Sequence, residues 1–284
     1  MIQFTAGERM SIWPNNARCA VNIGFDVDAE TMWIARDPES VRRPGLMSQG
    51  EYEIRVGLPR ILRLLDKYHI KTTFFVPGWV ADHHPDQIRA IHDKGHEIAH
   101  HGYLHEWLDY NIPLDQESAI LEKGINSLKA ITGEVPRGYR PPGGELTPNT
   151  IRLLKGRGFF YESSLMNDEV PYFLKLDGKS SDFVELPIHW VLDDSVYTNW
   201  SMRWHSQKVM ANPSHILEIW KSEFDGYYEN GGCYMLVCHP QLIGRPHRAK
   251  MLEELVRYIR GHSDVWIAKG IEIATHWRET KRSR

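Results

Sequence analysis

Short apolar segments of strand length alternate along this chain with longer segments of helical periodicity. The strand-like runs are 19–25, 71–76, 96–99, 138–140, 158–161, 184–188, 233–238 and 265–268, and helical spacing is clearest at 51–69, 85–94, 114–131, 216–228 and 247–260. This alternation is typical of a parallel sheet or barrel with both faces covered. About seven strand–helix pairs are too many for a simple open sheet of this length. We therefore expect an α/β fold with a closed or nearly closed β/α barrel.

Two stretches do not fit this simple alternation. Residues 29–50 are polar, contain proline and glycine and show no period, so we expect a long irregular loop there. Loops of that length inside a compact domain are usually functional or disordered. Pro59 lies inside the helical pattern of 51–69 and is expected to kink that helix.

The length and composition bound the class of protein. At 284 residues the chain can form one large domain or two small ones, and no repeat or linker divides it. We expect a single domain over 1–284, with its motif-bearing core at about 18–280. The net charge of −3 gives no basic footprint for nucleic acid, and no run reaches the ~20 apolar residues of a membrane span. Neither nucleic acid nor a membrane is therefore expected as a partner, and homo-oligomerisation is left open.

The cysteines indicate the redox state of the cellular compartment in which the protein works. Cys19, Cys233 and Cys238 are an odd count, and Cys19 and Cys238 lie inside apolar, strand-like runs. Reduced, buried thiols fit this pattern better than a disulfide framework. The first residues carry no positive segment followed by an apolar one. We expect a cytoplasmic protein.

A histidine-rich stretch, 95–106, is the first sign of chemistry. It holds four of the 15 histidines, and His101 and His105 are four residues apart. On a helical turn that spacing stacks two imidazoles on one face, where they can bind one divalent ion. The glutamate of the H-E-x-x-H motif is missing, so the zinc proteases of that class are excluded. Taken alone the spacing is weak, because solvated or core histidines are common and His96 and His100 are competing ligands.

Chemically capable residues also follow several predicted strands. Asp26 and Asp28 follow the first strand, the histidine pair follows the third, Arg140 ends the brief strand at 138–140, and His239 follows the strand at 233–238. In β/α barrels the active site is built at the rim formed by the carboxyl ends of the strands. Two imidazoles and a carboxylate, with a fourth coordination position open for water, are the ligands of catalytic zinc in hydrolases. A second carboxylate, a further histidine and an arginine can then serve as base, acid and orienting group.

Four motifs resemble those of a known family. They are Phe25-Asp26-Val27-Asp28, His101-Gly102-Tyr103-Leu104-His105, Arg140-Pro141-Pro142-Gly143 and Leu236-Val237-Cys238-His239. Their order resembles the polysaccharide deacetylase (NodB-homology, carbohydrate esterase 4-like) superfamily over about 20–240. The resemblance implies a distorted (β/α) barrel of about seven strands and hydrolysis of non-peptide C–N bonds.

The resemblance also implies a role for each motif residue. Asp26 would be the base that activates a metal-bound water, and Arg140 would orient it. His239 would be the acid. The metal ligands would be Asp28, His101 and His105. Zinc is the expected metal, although cobalt, nickel, manganese or iron fit such ligands too. The family's consecutive aspartates are separated here by Val27, which leaves both on one face of a regular strand.

Longer signatures at 161–166, 190–194 and 239–246 are similar to one branch of that family. The branch contains allantoinase-like enzymes, cyclic imide hydrolases and peptidoglycan deacetylase-like proteins. We favour ring opening of a small cyclic imide or ureide, because 29–50 and 161–205 could cover the barrel mouth. N-deacetylation of an amino-sugar, peptidoglycan or chitin-type substrate is the alternative, and a catalytically silent sugar-binding barrel is a third reading.

Four residues are expected to contact the substrate, although structural roles are about as common for such residues. They are Pro142, Glu145, Trp190 and Asp194. Other tryptophans, Trp107 among them, are expected in the core, with one or two of the ten lining the cleft.

Overall fold

A sheet of mostly parallel strands, flanked by helices, forms the molecule. The computed structural model describes residues 11–201 and 210–282. The strands are β1 (Cys19–Asp26), β2 (Thr73–Val76), β3 (Glu97–His100), β4 (Gly138–Tyr139), β5 (Tyr161–Glu162), β6 (Tyr172–Leu176), β7 (Lys179–Glu185), β8 (Cys233–Cys238) and β9 (Val265–Ile267). The helices are α1 (Thr31–Ile34), α2 (Pro44–Tyr52), α3 (Leu58–Lys67), α4 (Gly78–His83), α5 (Pro85–Asp93), α6 (Leu114–Thr132), α7 (Thr150–Gly156), α8 (Asp194–Thr198), α9 (Pro213–Asn230), α10 (Pro240–Ile243), α11 (Pro246–Arg260) and α12 (Gly270–Arg282).

The strand order defines a distorted barrel. The order is β6-β7-β5-β4-β3-β2-β1-β8, with β9 paired to the first half of β1. Every pairing is parallel except that of β6 with β7. The predicted (β/α) barrel is confirmed, with nine strands rather than about seven.

The central strand β1 explains why the site residues collect at one end. All eight of its residues are buried, because helices pack on the outer face of the barrel and side chains of other strands fill the inner face. Its apolar side chains pack into the core, and Phe25 stacks on Phe74 of β2 with ring centroids 5.1 Å apart. Since β1, β3, β4 and β8 run parallel, their carboxyl ends meet at the same rim.

The expectation of an irregular 29–50 segment is wrong in part. The short helix α1 is fully buried, and α2 begins at Pro44. The helix expected over 51–69 is interrupted by a π-helical turn, Glu53–Gly57, before α3. Pro59 lies inside this continuous helical run of 44–67, as predicted, and the π-helical turn directly before it is where the regular hydrogen-bond pattern is disturbed.

The β6–β7 hairpin was not predicted. It turns at Asp177 and Gly178, whose φ values are 49° and 74°. Asp-Gly is a strong turn signal, but β6 is a mostly apolar run, Tyr172–Leu176, and β7 begins with four polar residues, so the flanks show little of the alternation that marks a half-buried strand.

All three cysteines are buried and free, in agreement with the sequence. Of the helices described here, none is both long and apolar enough to cross a membrane.

Candidate active site

A pocket opens at the carboxyl ends of β1, β3, β4 and β8. Asp26 and Asp28 enter it from β1, His101 and His105 from the loop after β3, Arg140 from the end of β4 and His239 from the end of β8. The remaining lining comes chiefly from 188–199 and 141–144, with Met32, Arg36, Trp107 and Val237.

Three side chains in this pocket are spaced as ligands of one metal ion. Asp28 Oδ1 lies 3.5 Å from His101 Nε2, and Asp28 Oδ2 lies 3.5 Å from His105 Nε2. One ligand atom from each residue lies within 4.8 Å of the other two. Two ligand atoms bound to one tetrahedral zinc lie roughly 3.4 Å apart. The spacing therefore fits a divalent ion.

The histidines reach this position from an irregular loop and not from a helical turn. His105 has a φ of 58° and Gly102 a φ of 74°, so the chain between them cannot be helical. The backbone carbonyl of Arg140 accepts a hydrogen bond from His101 Nδ1 at 2.7 Å. Because a carbonyl can only accept, this contact fixes the proton on Nδ1 and leaves the Nε2 lone pair facing Asp28.

Polar side-chain atoms that are buried without hydrogen-bond partners also favour a cation at this position. Both carboxylate oxygens of Asp28 and Nδ1 of His105 are buried with no hydrogen-bond partner in the described part of the chain. Burial raises the pKa of Asp28 and lowers the pKa of His105 to about 3. A carboxylate and a neutral imidazole buried in this way are costly unless a cation binds them.

Asp26 and Arg140 form a buried ion pair beside these three side chains. Arg140 Nη1 donates to Asp26 Oδ1 at 2.6 Å, and Ser163 accepts from the rest of the guanidinium at its carbonyl (3.1 Å) and hydroxyl (3.2 Å) oxygens. Burial alone would raise the pKa of Asp26, but the charge of Arg140 outweighs it and the net pKa is lowered. Asp26 is thus held ionised, with Oδ2 left free of Arg140.

His239 forms a second buried pair with Asp194. Its Nδ1 donates to Asp194 Oδ1 at 2.6 Å, and its backbone N–H donates to the same carboxylate. Burial would lower the pKa of His239, but the adjacent carboxylate raises it well above its usual value. Its Nε2 lies 3.7 Å from Asp28 Oδ2. His239 is therefore arranged to carry a proton toward the pocket.

The predicted substrate contacts are not all in the pocket lining. Trp190 lines it and is 40% exposed. Asp194 is fully buried behind His239, and Glu145 is exposed outside the pocket. Pro142 is buried against Gly102 and supports the histidine loop. Its neighbours Pro141, Gly143 and Gly144 line the pocket instead.

The competing histidines point away from the pocket. His100 donates from Nε2 to the Leu121 carbonyl (3.1 Å) and accepts from the Gly102 N–H at Nδ1 (3.1 Å). His96 precedes β3, at the opposite end of the sheet, and accepts from the Thr72 N–H.

Trp107 and Arg36 are among the lining residues that the sequence analysis missed. Trp107, expected in the core, is 58% exposed at the pocket. Arg36 follows α1, with its guanidinium carbon 4.9 Å from the centre of the Trp107 ring. The only sequence signal for Arg36 was its location in the long segment 29–50, which the sequence analysis treated as a candidate cover.

Known proteins resemble this chain in fold and in sequence. The polysaccharide deacetylase family model matches residues 51–161. A crystal structure of a Mycobacterium smegmatis protein, named as a candidate polysaccharide deacetylase, is 41% identical with a TM-score of 0.90 and covers 95% of this chain and 93% of its own. The Puue allantoinase structure is 28% identical with a TM-score of 0.81 and covers 97% of this chain and 95% of its own.

A full-length relative has a more specific name. A Helicobacter pylori peptidoglycan deacetylase is 31% identical over 272 residues, 87% of this chain and 92% of that protein. The family predicted from the motifs is confirmed. The chain belongs to the polysaccharide deacetylase family, whose enzymes hydrolyse amide C–N bonds other than peptide bonds.

Proposed function

We propose that this protein is a metal-dependent N-deacetylase of an amino-sugar substrate, with Asp28, His101 and His105 as metal ligands. The observation that carries the catalytic part is that the ligand triad, the Asp26–Arg140 pair and the His239–Asp194 pair face one pocket. A divalent ion at the triad supplies a Lewis acid beside the substrate carbonyl and lowers the pKa of nearby water. Zinc suits two imidazoles and a carboxylate.

The Asp26–Arg140 pair and the His239–Asp194 pair serve different proton transfers. Asp26, held ionised by Arg140, accepts the proton of the attacking water at Oδ2. His239 donates from Nε2 to the leaving nitrogen, while Asp194 holds Nδ1 and so fixes the ring. A raised pKa on the acid and a lowered pKa on the base let both exist in their working states at one pH.

Two half-exposed tryptophans at the pocket support a sugar as substrate. Trp107 packs beside Gly143 and Trp190 beside Gly144, so the two rings flank the same turn. They remain 58% and 40% exposed. Large apolar rings left in water beside a cleft mark a binding surface, and their faces suit the C–H face of a pyranose. A substrate that contacts both rings extends beyond the metal ligands.

Hydrolysis of a small cyclic imide or ureide is the second candidate. Met32, Arg36, Ser195 and Asn199 line the pocket, and Asn199 Nδ2 lies 3.7 Å from Met32 Sδ, so these residues enclose part of the space around the metal ligands. The likeness to an allantoinase over nearly the whole chain supports this reading as well. It needs the same metal, base and acid, so only substrate preference separates the two candidates.

A substrate panel with zinc-loaded protein tests the proposal. Acetate release from N-acetylglucosamine oligomers is compared with ring opening of succinimide, hydantoin and allantoin. Turnover of the oligomers supports deacetylation, and turnover of the cyclic compounds alone supports the second candidate. If the protein binds no metal and turns over none of these compounds, it is not the proposed enzyme.

Tryptophan variants sharpen this comparison. Trp107→Ala and Trp190→Ala should raise KM for the oligomers and leave kcat nearly unchanged, because neither ring belongs to the proposed metal ligands, base or acid. Trp200→Ala is the matched control, since Trp200 is 39% exposed but does not line the pocket. An unchanged KM in both pocket variants would count against the sugar-binding role.

A further inference from the structure

The residue after Asp28 has an unfavourable backbone conformation. Ala29 has a φ of 47°, in the left-handed region that residues with a side chain rarely occupy. It is fully buried. Such a conformation persists only where the surroundings enforce it. The direction in which Asp28 leaves β1 therefore depends on what holds Ala29.

Two buried side chains hold both polar backbone groups of Ala29. Its N–H donates to Glu53 Oε2 at 3.1 Å, and its carbonyl accepts from Gln241 Nε2 at 3.1 Å. Gln241 Nε2 also lies 3.4 Å from Glu53 Oε2. Glu53 is fully buried and Gln241 is 2% exposed. We call these two residues the Glu53–Gln241 pair.

The pair connects two parts of the candidate site. Gln241 is the second residue of α10, the helix directly after His239, and the His239 carbonyl accepts from the N–H groups of Leu242 (2.7 Å) and Ile243 (2.8 Å). Glu53 opens the π-helical turn, a feature that is frequent at functional sites.

Backbone packing fixes that turn against α10. A β-carbon at Gly57, the last residue of the turn, would lie 2.2 Å from the Pro240 carbonyl oxygen. The turn and the segment after His239 therefore touch with no room for a side chain. The π-helical turn therefore contacts both the segment that carries Asp28 and the segment that carries His239.

We propose that Glu53 and Gln241 are positioning residues that set the Asp28 carboxylate for metal binding and fix its distance from His239. The inference rests on the proposed role of Asp28 as a metal ligand. Neither residue lines the pocket, so neither contacts substrate. Partners that orient a metal ligand change metal affinity or activity about 10–100-fold when they are removed.

Zinc titration of the metal-free protein against a competing chelator tests this role. Gln241→Met keeps the length of the side chain and removes its donor, and Glu53→Met removes the acceptor. Each substitution should raise the Kd for zinc about 10–100-fold and lower kcat more than it changes KM. The double variant should lose less zinc-binding free energy than the sum of the two single losses, because both residues act through Ala29. Full additivity would contradict a shared action.

Two further variants separate positioning from general destabilisation. Glu117→Met removes an equally buried glutamate, which accepts from Thr147 (2.6 Å) and Thr150 (2.5 Å) and lies outside the pocket. It should lower thermal stability and leave the zinc Kd unchanged. Glu53→Gln keeps an acceptor for the Ala29 N–H and should retain nearly the original Kd, which provides a folded comparison if Glu53→Met does not fold.

The outcomes are distinct. If Gln241→Met binds zinc as tightly as Glu117→Met does, the positioning role is rejected. If Glu53→Gln weakens binding as much as Glu53→Met, charge and not the hydrogen bond matters, and the role is rejected too. If the unmodified protein binds no zinc, the proposed metal site fails and the inference falls with it.

Discussion

At the scale of single residues, two buried ion pairs set opposite protonation states a few ångströms apart. Arg140 keeps Asp26 ionised, and Asp194 keeps a proton on His239. The sequence predicted the proton-transfer roles from motif order, but it assigned Asp194 to substrate contact. No spacing rule shows that a residue 45 positions before His239 will contact its ring. Only the approach of 193–194 to β8, where Asp193 pairs with Val237, brings them together.

Asp194→Asn should shift the pH dependence of activity. In the proposed role of His239 as the acid, donation requires its protonated form, so activity should fall as the pH rises through its pKa. Without the Asp194 charge that pKa falls, and the alkaline limb of kcat/KM should move to lower pH. Asp193→Asn should give a smaller shift, because Asp193 lies 4.0 Å from Nδ1 and Asp194 lies 2.6 Å away. An alkaline limb that does not move in Asp194→Asn would reject His239 as the acid.

At the scale of elements, helix α6 supports the histidine loop through a glycine. His100 packs on Gly124, where a β-carbon would lie 2.3 Å from His100 Nε2 and 2.9 Å from the Gly102 carbonyl oxygen. The absence of a side chain thus lets the end of β3 approach the helix. The i,i+4 spacing of His101 and His105 suggested a helical turn, whereas this packing and the positive φ values produce an irregular loop.

Gly124→Ala should disturb both stability and metal binding. In a helix interior, alanine normally stabilises by about 0.5–1 kcal/mol relative to glycine. Here the overlap with His100 should instead cost about 1–3 kcal/mol, as other overpacked sites do. Gly226→Ala in α9 is the control, since a β-carbon there meets nothing within 4 Å. Urea unfolding and zinc titration measure both effects; a stabilised Gly124→Ala with unchanged zinc affinity contradicts this account.

The elements that the sequence predicts well are those whose apolar pattern is strongest. β8 is a continuous apolar run, β1 is apolar except for Asn22 and its final Asp26, and both strands are fully buried. The brief strand predicted at 138–140 is confirmed as β4, and the one predicted at 158–161 overlaps β5 only at Tyr161. Helix α1 was not predicted, because its four residues are too few to show a period and tertiary contacts determine so short an element.

At the scale of the whole molecule, the two ends of the sheet differ in chemistry. The carboxyl end carries the candidate site, whereas the opposite end holds His96, which is 4% exposed. Burial lowers the pKa of His96 to about 4. Between about pH 4 and 6.5 the unfolded chain binds a proton there that the folded protein does not. His96 therefore lowers the free energy of unfolding as the pH falls through that window.

His96→Gln should reduce this acid sensitivity. The difference in unfolding free energy between pH 7 and pH 4 should be smaller by up to about 3 kcal/mol than in the unmodified protein, since one pKa unit corresponds to about 1.4 kcal/mol. Urea unfolding at several pH values measures it. Parallel stability curves for the two proteins would show that His96 does not titrate as expected.

The location of the site follows from the sequence better than its substrate does. The motif residues lie at strand ends, and parallel topology brings strand ends to one rim. The surrounding lining comes from residues without a motif, such as Arg36 and Trp107. Their positions depend on how α1 and the loop after β3 fold over the rim, which no spacing in the sequence specifies.

The central claim is that Asp28, His101 and His105 bind the metal on which hydrolysis depends. The most direct test is the zinc content of the purified protein and of His105→Ala after equilibration with zinc, with circular dichroism to verify folding. The account predicts one tightly bound ion per chain in the unmodified protein and its loss, together with activity, in a folded His105→Ala. Full zinc stoichiometry in that variant would contradict the ligand assignment.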